Sequence, residues 1–488
     1  MNATNTPLVY VYPLGQFEQQ TDVGTVKQRG SCHYDAAQQR YTITGSGANI
    51  WNDHDDFHYV WKRLTGNFIV TMQAQFVGQG VQPHRKLGWM VRTSLATNSP
   101  NVSTGIHGDG LVSLQFRRSA GGKTEEIVAP ITHADVIQLE RKGNTYMMAV
   151  ARFGDPFQAV QVEDLALGDE VYVGLAVCSH DDNVIEQAVF HNVRIVEPVK
   201  ADFVRGRDPL GSHLELLDIE TGHRQIIYQS PTIFEAPNWT VDGQALIYNS
   251  GGLLYRFDLA ERKPQRIDTD YVTRNNNDHV ISFDGTMLAI SSSSAEENVS
   301  IVYTVPIQGG KPQRVTAYGP SYLHGWSPDG KYLVYTGLRN GDFDIYRIGV
   351  EGGAETQLTT AKGLDDGPEY TPDGQFIYFN SVRSGRMQIW RMKPDGSAQE
   401  QVTDDEYNNW FPHISPDGLW IVFVTYLVGE VEPSDHPPAK RVYIRLMPVS
   451  GGQPKVIAYL YGGQGTMNVP SWSPDSKRIA FVSNTVSL

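Results

Sequence analysis

The segment Ser327-Pro328-Asp329-Gly330 recurs in varied form through the second half of the chain, and each copy contains a turn aspartate. The six aspartates are Asp242, Asp284, Asp329, Asp373, Asp417 and Asp475. The first five lie 42 to 45 residues apart, and the last follows after 58. A period in the low forties, with short β-type runs between turn signals, is typical of β-propeller blades. Because one blade cannot bury both of its faces, the repeats are expected to pack around a central axis.

Both ends of the repeat region are predicted to build the last blade. Only 13 residues follow Asp475, enough for one strand over Arg478–Ser483. The missing strand–turn–strand pattern occurs instead before the first repeat, in His213–Tyr228. Joining the two ends removes an open sheet edge that would invite aggregation. The sequence therefore predicts an all-β protein with a six-bladed propeller over residues 213–488.

Residues 1–197 lack the repeat and show strands with alternating apolar and polar residues. Eight strands are predicted there without a helical period, which favours a two-sheet sandwich or jelly roll. They are Arg40–Thr44, Phe68–Phe76, Leu87–Thr93, Val112–Arg117, Val136–Arg141, Tyr146–Phe153, Val171–Cys178 and Ala188–Val196. Pro198, Gly206 and Pro209 then interrupt the pattern, so residues 198–212 are predicted to form a linker.

The charge balance excludes some classes of partner. The chain has 40 basic and 54 acidic residues, a formal net charge of −14. This excess argues against nucleic acid or an anionic membrane as the main partner. No long apolar run is present, so no membrane span is expected. Leu8–Leu14 is short and broken by Pro13, which favours a cytoplasmic protein as written, or a periplasmic or secreted one if a leader was removed.

Two further features of the N-terminal region leave alternatives open. Cys32 and Cys178 fit either a disulfide across the sandwich or two buried thiols, so they do not decide the compartment. The turn Asp53-His54-Asp55-Asp56 is a candidate calcium site, with a solvated acidic turn as the alternative. Neither feature assigns a function by itself.

Polar and aromatic residues occupy the position seven residues before each repeated aspartate. They are Glu235, Asn277, Tyr322, Asp366, Trp410 and Asn468, with Asp365 and Asn409 as neighbouring candidates. This position precedes the innermost strand, so the side chains are expected to surround one mouth of the central channel. Aromatic faces stack on sugars while amides and carboxylates bind hydroxyls, so the set predicts a glycan pocket with Trp410 and Tyr322 exposed.

Three histidines lie just beneath this ring of residues. His279 and His324 stand five residues before the turn aspartate, and His413 stands four before it. One interpretation is that these imidazoles bond to backbone within the inner ring. The other is a metal site or a general base at the channel mouth.

Blade five carries the longest insertion, Tyr426–Lys440. It is either a solvated loop or a lid over the channel, because long irregular insertions are often functional. His436 and Lys440 are candidate bases in such a lid. If the protein cleaves a glycan as a lyase or a hydrolase, the candidate catalytic residues are Asp366, Glu235, His413 and Lys440.

The blade pattern resembles the TolB-like propeller repeat over about residues 213–488. Within it, His413-Ile414-Ser415-Pro416-Asp417-Gly418 and Gln464 resemble the metal-holding region of oligogalacturonate lyases. That second resemblance implies a zinc or manganese ion bound by His279, His324, His413 and Gln464. In that family two more histidines follow the glutamine, whereas this chain has Met467, Asn468 and Val469.

Three N-terminal segments resemble the concanavalin-like domain that is fused to such propellers in bacterial carbohydrate-related proteins. They are His84-Arg85-Lys86-Leu87-Gly88-Trp89, His107-Gly108-Asp109-Gly110-Leu111 and Val173-Gly174-Leu175-Ala176-Val177-Cys178-Ser179-His180. The resemblances together imply a carbohydrate-linked protein that binds a glycan or oligosaccharide. The alternative is a TolB-like scaffold for a protein partner, because the same ring serves binders, enzymes and scaffolds.

Overall fold

A computed structural model describes residues 14–488 as β-strands and turns, with no α-helix among them. One compact unit ends at Pro198, and a second spans Val199–Leu488. Of the Leu8–Leu14 stretch, only Leu14 belongs to the described residues. That part of the chain contains no helix long and apolar enough to cross a membrane.

The first unit contains two antiparallel sheets, each of seven strands within the described residues. The first sheet has the order β1 (Gln19–Val23), β6 (Phe57–Thr65), β15 (Glu170–Cys178), β8 (Lys86–Arg92), β9 (Asn101–His107), β10 (Val112–Arg117) and β11 (Glu125–Val128). The second has the order β14 (Gln158–Val162), β13 (Thr145–Ala151), β12 (Val136–Lys142), β7 (Phe68–Val77), β16 (Glu186–Val196), β3 (Arg40–Gly45) and β2 (Ser31–Asp35). A short pair consists of β4 (Ile50–Trp51) and β5 (His54–Asp55). All eight predicted strands occur, each within two residues of its predicted ends.

One hydrophobic core joins the two sheets. Trp89 and Val102 of the first sheet belong to the same buried cluster as Val70 and Met148 of the second. Alternate side chains along each strand point to the same face, so every second residue of these strands can enter this core. The other face of the first sheet buries a smaller cluster around Tyr59.

Asp55 is completely buried in this unit instead of lying in a solvated turn. Arg117 donates two hydrogen bonds of 2.8 Å to its carboxylate, and Asn101 donates a third of 3.2 Å. Arg92 lies 3.5 Å away and is also buried. A buried charge needs such partners because its desolvation is costly. The solvated-turn interpretation is therefore wrong for Asp55. Its arginine partners lie far away in the sequence, so the sequence alone does not predict their contact.

Both cysteines are free thiols. Cys32 lies on β2 and Cys178 ends β15. Burial raises the pKa of Cys32 to about 12 and that of Cys178 to about 11, so neither thiol is activated as a thiolate. Of the two alternatives, the structure therefore contains free thiols and no disulfide between this pair.

Residues 211–485 form the six blades of a propeller. From the innermost strand outwards, blade one contains β19 (Glu235–Trp239), β20 (Ala245–Ser250), β21 (Leu253–Asp258) and β22 (Lys263–Ile267), and blade two β23 (Asn275–Ile281), β24 (Met287–Ser293), β25 (Ser300–Pro306) and β26 (Gln313–Arg314). Blade three contains β27 (Ser321–Trp326), β28 (Tyr332–Arg339), β29 (Asp342–Gly349) and β30 (Thr356–Gln357), and blade four β31 (Asp365–Tyr370), β32 (Ile377–Ser381), β33 (Gln388–Met392) and β34 (Glu400–Gln401). Blade five contains β35 (Asn408–Ile414), β36 (Trp420–Tyr426), β37 (Lys440–Pro448) and β38 (Lys455–Gly462).

The sixth blade confirms that both ends of the propeller close the ring. It contains β39 (Arg478–Thr485), β17 (Gly211–Asp218) and β18 (Arg224–Ser230), with Trp472 bridged to Ile479 on the inner side. The β17–β39 pairing is regular over the full length of both strands. Its two outer strands therefore come from the segment before the first repeat, as predicted.

The repeated aspartate forms the turn between the first two strands of each blade. Asp329 accepts a hydrogen bond of 2.6 Å from the Ser327 hydroxyl and one of 3.1 Å from the Lys331 amide. The same pair of bonds recurs at all six aspartates, with threonine in place of serine at two of them. Gly330 has φ +68°, a left-handed conformation that glycine adopts without strain. The repeated motif therefore stabilises a turn, which explains why its spacing predicts the fold.

Candidate functional site at the propeller channel

The innermost strands change register where the predicted site residues lie. A break in pairing occurs there in each of the five four-stranded blades. In three blades the residue after the predicted position has a positive φ, namely Ala236, Gly367 and Phe411. Such β-bulges redirect side chains and are frequent beside functional sites. The local backbone therefore turns these positions away from a regular strand.

His324 and Asp366 form an ion pair between blades three and four. Nε2 of His324 lies 3.2 Å from Oδ1 of Asp366, which also accepts hydrogen bonds from Thr336 and the Gly367 amide. Burial is the largest single effect and opposes both charges, but the hydrogen bond between the two groups and the charges and hydrogen bonds of their neighbours together outweigh it. The pKa of Asp366 is consequently lowered to about 2, and the pKa of His324 is raised. The pair is therefore held in its charged form.

Asp278 of blade two lies within the electrostatic reach of this pair. Burial raises the pKa of Asp278 to about 7; His324 lowers it, while Asp366 and Glu235 raise it. A carboxyl group with such a pKa exchanges its proton near neutral pH, which is the behaviour of an acid or base at a functional site. The cluster is thus both charged and titratable.

Asp278 is not among the residues predicted from the repeat, although the sequence contains a signal for it. Asp278 lies six residues before its turn aspartate, Asp284. The other five copies have only apolar residues or glycine at that position, namely Ala236, Leu323, Gly367, Phe411 and Val469. A single carboxylate at an otherwise apolar repeat position marks a residue that the fold does not require.

Glu235 is buried at the start of β19 and pairs with Arg205. Asn249 also donates a hydrogen bond of 3.4 Å to its carboxylate. Burial raises the pKa of Glu235, and the charge of Arg205 counteracts that effect. Arg205 belongs to the segment predicted as a linker, and 43% of its side chain is exposed. No sequence signal marks which residue of an irregular segment turns towards the ring.

The insertion of blade five covers Trp410. The imidazole of His436 stacks on the indole with 4.2 Å between the ring centroids, and its edge contacts Phe411 at 5.4 Å. The Pro437 carbonyl, next in the chain, accepts a hydrogen bond of 2.8 Å from Tyr426. Trp410 is 0% exposed, so the prediction of an exposed indole platform is wrong. The sequence does not indicate that the insertion folds back over the Trp410 indole.

His279 and His413 connect neighbouring blades. Nε2 of His279 lies 3.1 Å from the Ile247 carbonyl, and burial lowers the pKa of His279 to about 4. Nδ1 of His413 lies 2.5 Å from Glu369, and its Nε2 lies 3.1 Å from the Met467 carbonyl. These contacts match the interpretation of imidazoles bonded within the inner ring. They position the strands around the cluster.

The quartet implied for a metal is not brought together in this structure. It comprises His279, His324, His413 and Gln464, and the three imidazoles have different partners. Oε1 of the Gln464 side chain accepts a hydrogen bond of 3.1 Å from Nδ2 of Asn468. In the described part of the chain, the group of three or more histidine, cysteine or acidic residues close enough to share an ion lies in the first unit.

Two ligand candidates are engaged in contacts farther out along the blades. Asp365 pairs with Arg383 at 2.6 Å. The Asn409 side chain donates to Gln388 at 3.1 Å and accepts from Thr425 at 2.8 Å. Hydrogen-bond networks of this kind stabilise the sheet. The polar atoms of these two side chains are therefore bound to other residues of the blades.

The remaining candidates differ in their availability. The Asn277 side chain is buried, and its Nδ2 has no hydrogen-bond partner among the described residues. Tyr322 is half-buried, with its ring 6.2 Å from that of Phe343. Oδ1 of Asn468 accepts a hydrogen bond from Gly465. Lys440 begins β37, at the end of the blade-five insertion.

Comparison with known proteins identifies the propeller. The TolB beta propeller domain family matches residues 324–436. An uncharacterized protein of Agrobacterium fabrum is 48% identical over 272 residues, which cover 56% of this chain and 92% of that protein. The chain belongs to the TolB-like propeller family. A solved structure assigned to TolB from Agrobacterium tumefaciens is also 48% identical, covers 56% of this chain and 98% of its own, and has a TM-score of 0.54.

The relationship to oligogalacturonate lyases is distant. A manganese-bound lyase structure is 14% identical, with a TM-score of 0.35 over 51% of this chain and 67% of that chain. At this level of similarity no lyase activity transfers to the TolB-like propeller. The function has to be argued from its own channel mouth.

Proposed function

We propose that this TolB-like propeller is a protein-interaction scaffold whose channel mouth binds a cationic group of a partner polypeptide. The observation that carries the proposal is the contact of Arg205 with buried Glu235. A segment outside the blades thereby already places a guanidinium at the mouth. A partner arginine, lysine or amino terminus would take the same kind of position.

The charges of the mouth favour such a ligand. Glu235 carries the counter-charge for a cation, and its charge contributes to the raised pKa of nearby Asp278. An incoming cation would relieve the repulsion between these two groups. Arg205 is partly exposed, so it can be displaced without unfolding a blade. The buried carboxylate would keep a partner throughout, which avoids the cost of an unpaired buried charge.

A peptide pair tests this proposal on the full chain. A short peptide with a central arginine and its citrulline counterpart differ in charge but hardly in shape. We expect the arginine peptide to bind, and Glu235→Gln to weaken that binding at least about tenfold, because a charged hydrogen bond is worth about 1.5–3 kcal/mol. Glu220→Gln, at an exposed carboxylate in the β17–β18 turn, is the matched control and should leave binding unchanged. Equal binding of both peptides would refute the proposal.

A glycan is the second candidate ligand, favoured by two buried amides at the mouth. Nδ2 of Asn277 and Oδ1 of Asn249 have no hydrogen-bond partner among the described residues, and sugar hydroxyls would supply both. Movement of the insertion would also expose Trp410 for stacking. In this version the first unit is a concanavalin-like carbohydrate-binding domain, a proposal supported by its two sheets around one core.

Oligosaccharide titration separates the two candidates. Binding of neutral oligosaccharides that is lost in Trp410→Ala and kept in Glu220→Gln would favour the glycan. Turnover of such a ligand, abolished by Asp366→Asn, would add glycan cleavage to binding. Binding of the arginine peptide alone would favour the scaffold.

A further inference from the structure

Three histidines and one aspartate lie close together at one end of the three central strands of the first sheet in the N-terminal unit. His84 precedes β8, His107 ends β9 and is followed by Asp109, and His180 follows β15. Nδ1 of His84 lies 3.6 Å from Oδ2 of Asp109, and the ligand atoms of His84, His107 and Asp109 all lie within 4.8 Å of one another. The rings of His107 and His180 are centred 5.8 and 5.6 Å from that of His84.

The backbone holds this cluster in place. Beyond the paired part of β8 and β9, the Gly108 amide donates to the Arg85 carbonyl at 3.0 Å, and the Asp109 amide donates to the Pro83 carbonyl at 2.8 Å. The Arg85 side chain is itself fixed by a buried ion pair of 2.7 Å with Glu186. The ligand-bearing segments are therefore tied to each other on both sides of His84, which reduces the entropy lost on binding an ion.

Unpaired ring nitrogens point to a missing ligand. His107 is only 6% exposed, yet its Nδ1 has no hydrogen-bond partner among the described residues. The Nδ1 atom of His180 is also buried and has no hydrogen-bond partner among the described residues. Leaving a buried polar atom without a hydrogen bond costs about 1–3 kcal/mol, so such an atom indicates a missing ligand or partner. The Leu111 amide binds Oδ1 of Asp109, which leaves Oδ2 directed to His84.

We propose that His84, His107 and Asp109 bind a transition-metal ion of the zinc type, with His180 as the fourth ligand. Imidazoles with one carboxylate are a ligand set that zinc and its neighbours accept. With bonds of about 2.0–2.1 Å in a tetrahedron, ligand atoms lie roughly 3.4 Å apart. The 3.6 Å between His84 and Asp109 already matches that separation. The site is independent of the channel mouth and of the function proposed for it.

Zinc binding to the full chain tests the proposal. Protein treated with a chelator and dialysed should bind one zinc ion per chain in calorimetry. His84→Ala should weaken binding at least about 100-fold, because even the loss of a residue that only supports a ligand costs 10–100-fold. The His84 side chain is 52% exposed, so this variant should fold. Asp109→Asn, a near-isosteric change, should also weaken binding.

Two controls keep the result specific. His33→Ala removes an exposed histidine elsewhere in the same unit and should bind zinc like the wild type. Cobalt should give the visible absorption of a tetrahedral nitrogen–oxygen site in the wild type and in His33→Ala, and not in His84→Ala. The proposal is overturned if zinc does not bind, if His84→Ala binds it equally well, or if binding is lost instead in His324→Ala of the propeller.

Discussion

Asp278 and Asp366 are buried in the same cluster but have opposite shifts in pKa. For Asp366, burial is opposed by the hydrogen bond and charge of His324, the charge of His436 and the hydrogen bond from Thr336, which together lower its pKa to about 2. For Asp278 burial dominates, and its pKa is raised to about 7. Two carboxylic acids of the same intrinsic strength are thus given different charges by their neighbours. This contrast makes the pH dependence of stability a direct test of the cluster.

Asp278→Asn should alter that pH dependence. Because the pKa is higher in the folded protein, the contribution of Asp278 to stability is complete below about pH 4 and is lost as pH rises through about 7. Relative to the wild type, we expect the variant to be more stable at pH 8 than at pH 5, by up to a few kcal/mol. Urea unfolding at the two pH values measures this difference.

Asp366→Asn provides the control of opposite sign. The lowered pKa of Asp366 means that its contribution is present above its ordinary value of 3.8 and is lost as pH falls through about 2. This variant should therefore be destabilised at both pH 5 and pH 8. An Asp278→Asn effect that is the same at both pH values would show that burial does not control the charge of Asp278.

At the scale of elements, the blade-five insertion is part of the channel mouth. His436 from this loop stacks on Trp410, and burial lowers its pKa, so the loop presents a largely uncharged ring to the indole. Stacking of this kind is worth about 0.5–1.5 kcal/mol beyond the area it buries. A modest change in the loop could therefore uncover the indole while leaving the β36–β37 hairpin intact.

His436→Ala should expose Trp410 to solvent. We expect a red shift of tryptophan emission and stronger quenching by acrylamide, because a 0% exposed indole would gain contact with water. The chain has nine tryptophans, so the signal is assigned by repeating the measurement with Trp410→Phe. The change should disappear in the His436→Ala/Trp410→Phe double variant. If it persists there, another tryptophan is responsible and the loop does not shield Trp410.

At the scale of the whole molecule, the ring was predictable and the chemistry of its mouth only in part. The Asp329-type turn is local, and its period counts the blades without any knowledge of contacts. The position seven residues before each aspartate was expected just before the inner strands, and the structure places Glu235 and Asp366 in the first two residues of those strands. Their partners are long-range: Arg205 comes from outside the blades, and His436 comes from an insertion. Contacts between segments far apart in sequence leave no periodic signal.

Ring closure is the property on which the propeller's stability depends most. In the sixth blade, β17 pairs with β39 from Gly211↔Thr485 to Asp218↔Arg478, so the first and last strands of the propeller are one sheet. Leu214 and Val482 are opposite each other in this pairing and belong to one buried cluster with blade one. Removing β17 and β18 would expose that cluster and leave β39 as an open edge. Each blade contacts only its neighbours, so the damage should spread around the ring.

Deletion of residues 211–230 should therefore abolish cooperative folding of the propeller. Hydrogen–deuterium exchange of blade four, which is separated from the sixth blade by blade five, is the decisive measurement because it reports a blade that the deletion does not touch. We expect its amide protection to fall by several orders of magnitude. Deleting residues 429–435 from the insertion is the matched control, since it shortens a loop and keeps every blade strand. Retained protection of blade four after the first deletion would mean that the blades fold without closure, because a protected β31–β34 sheet would then not need the ring.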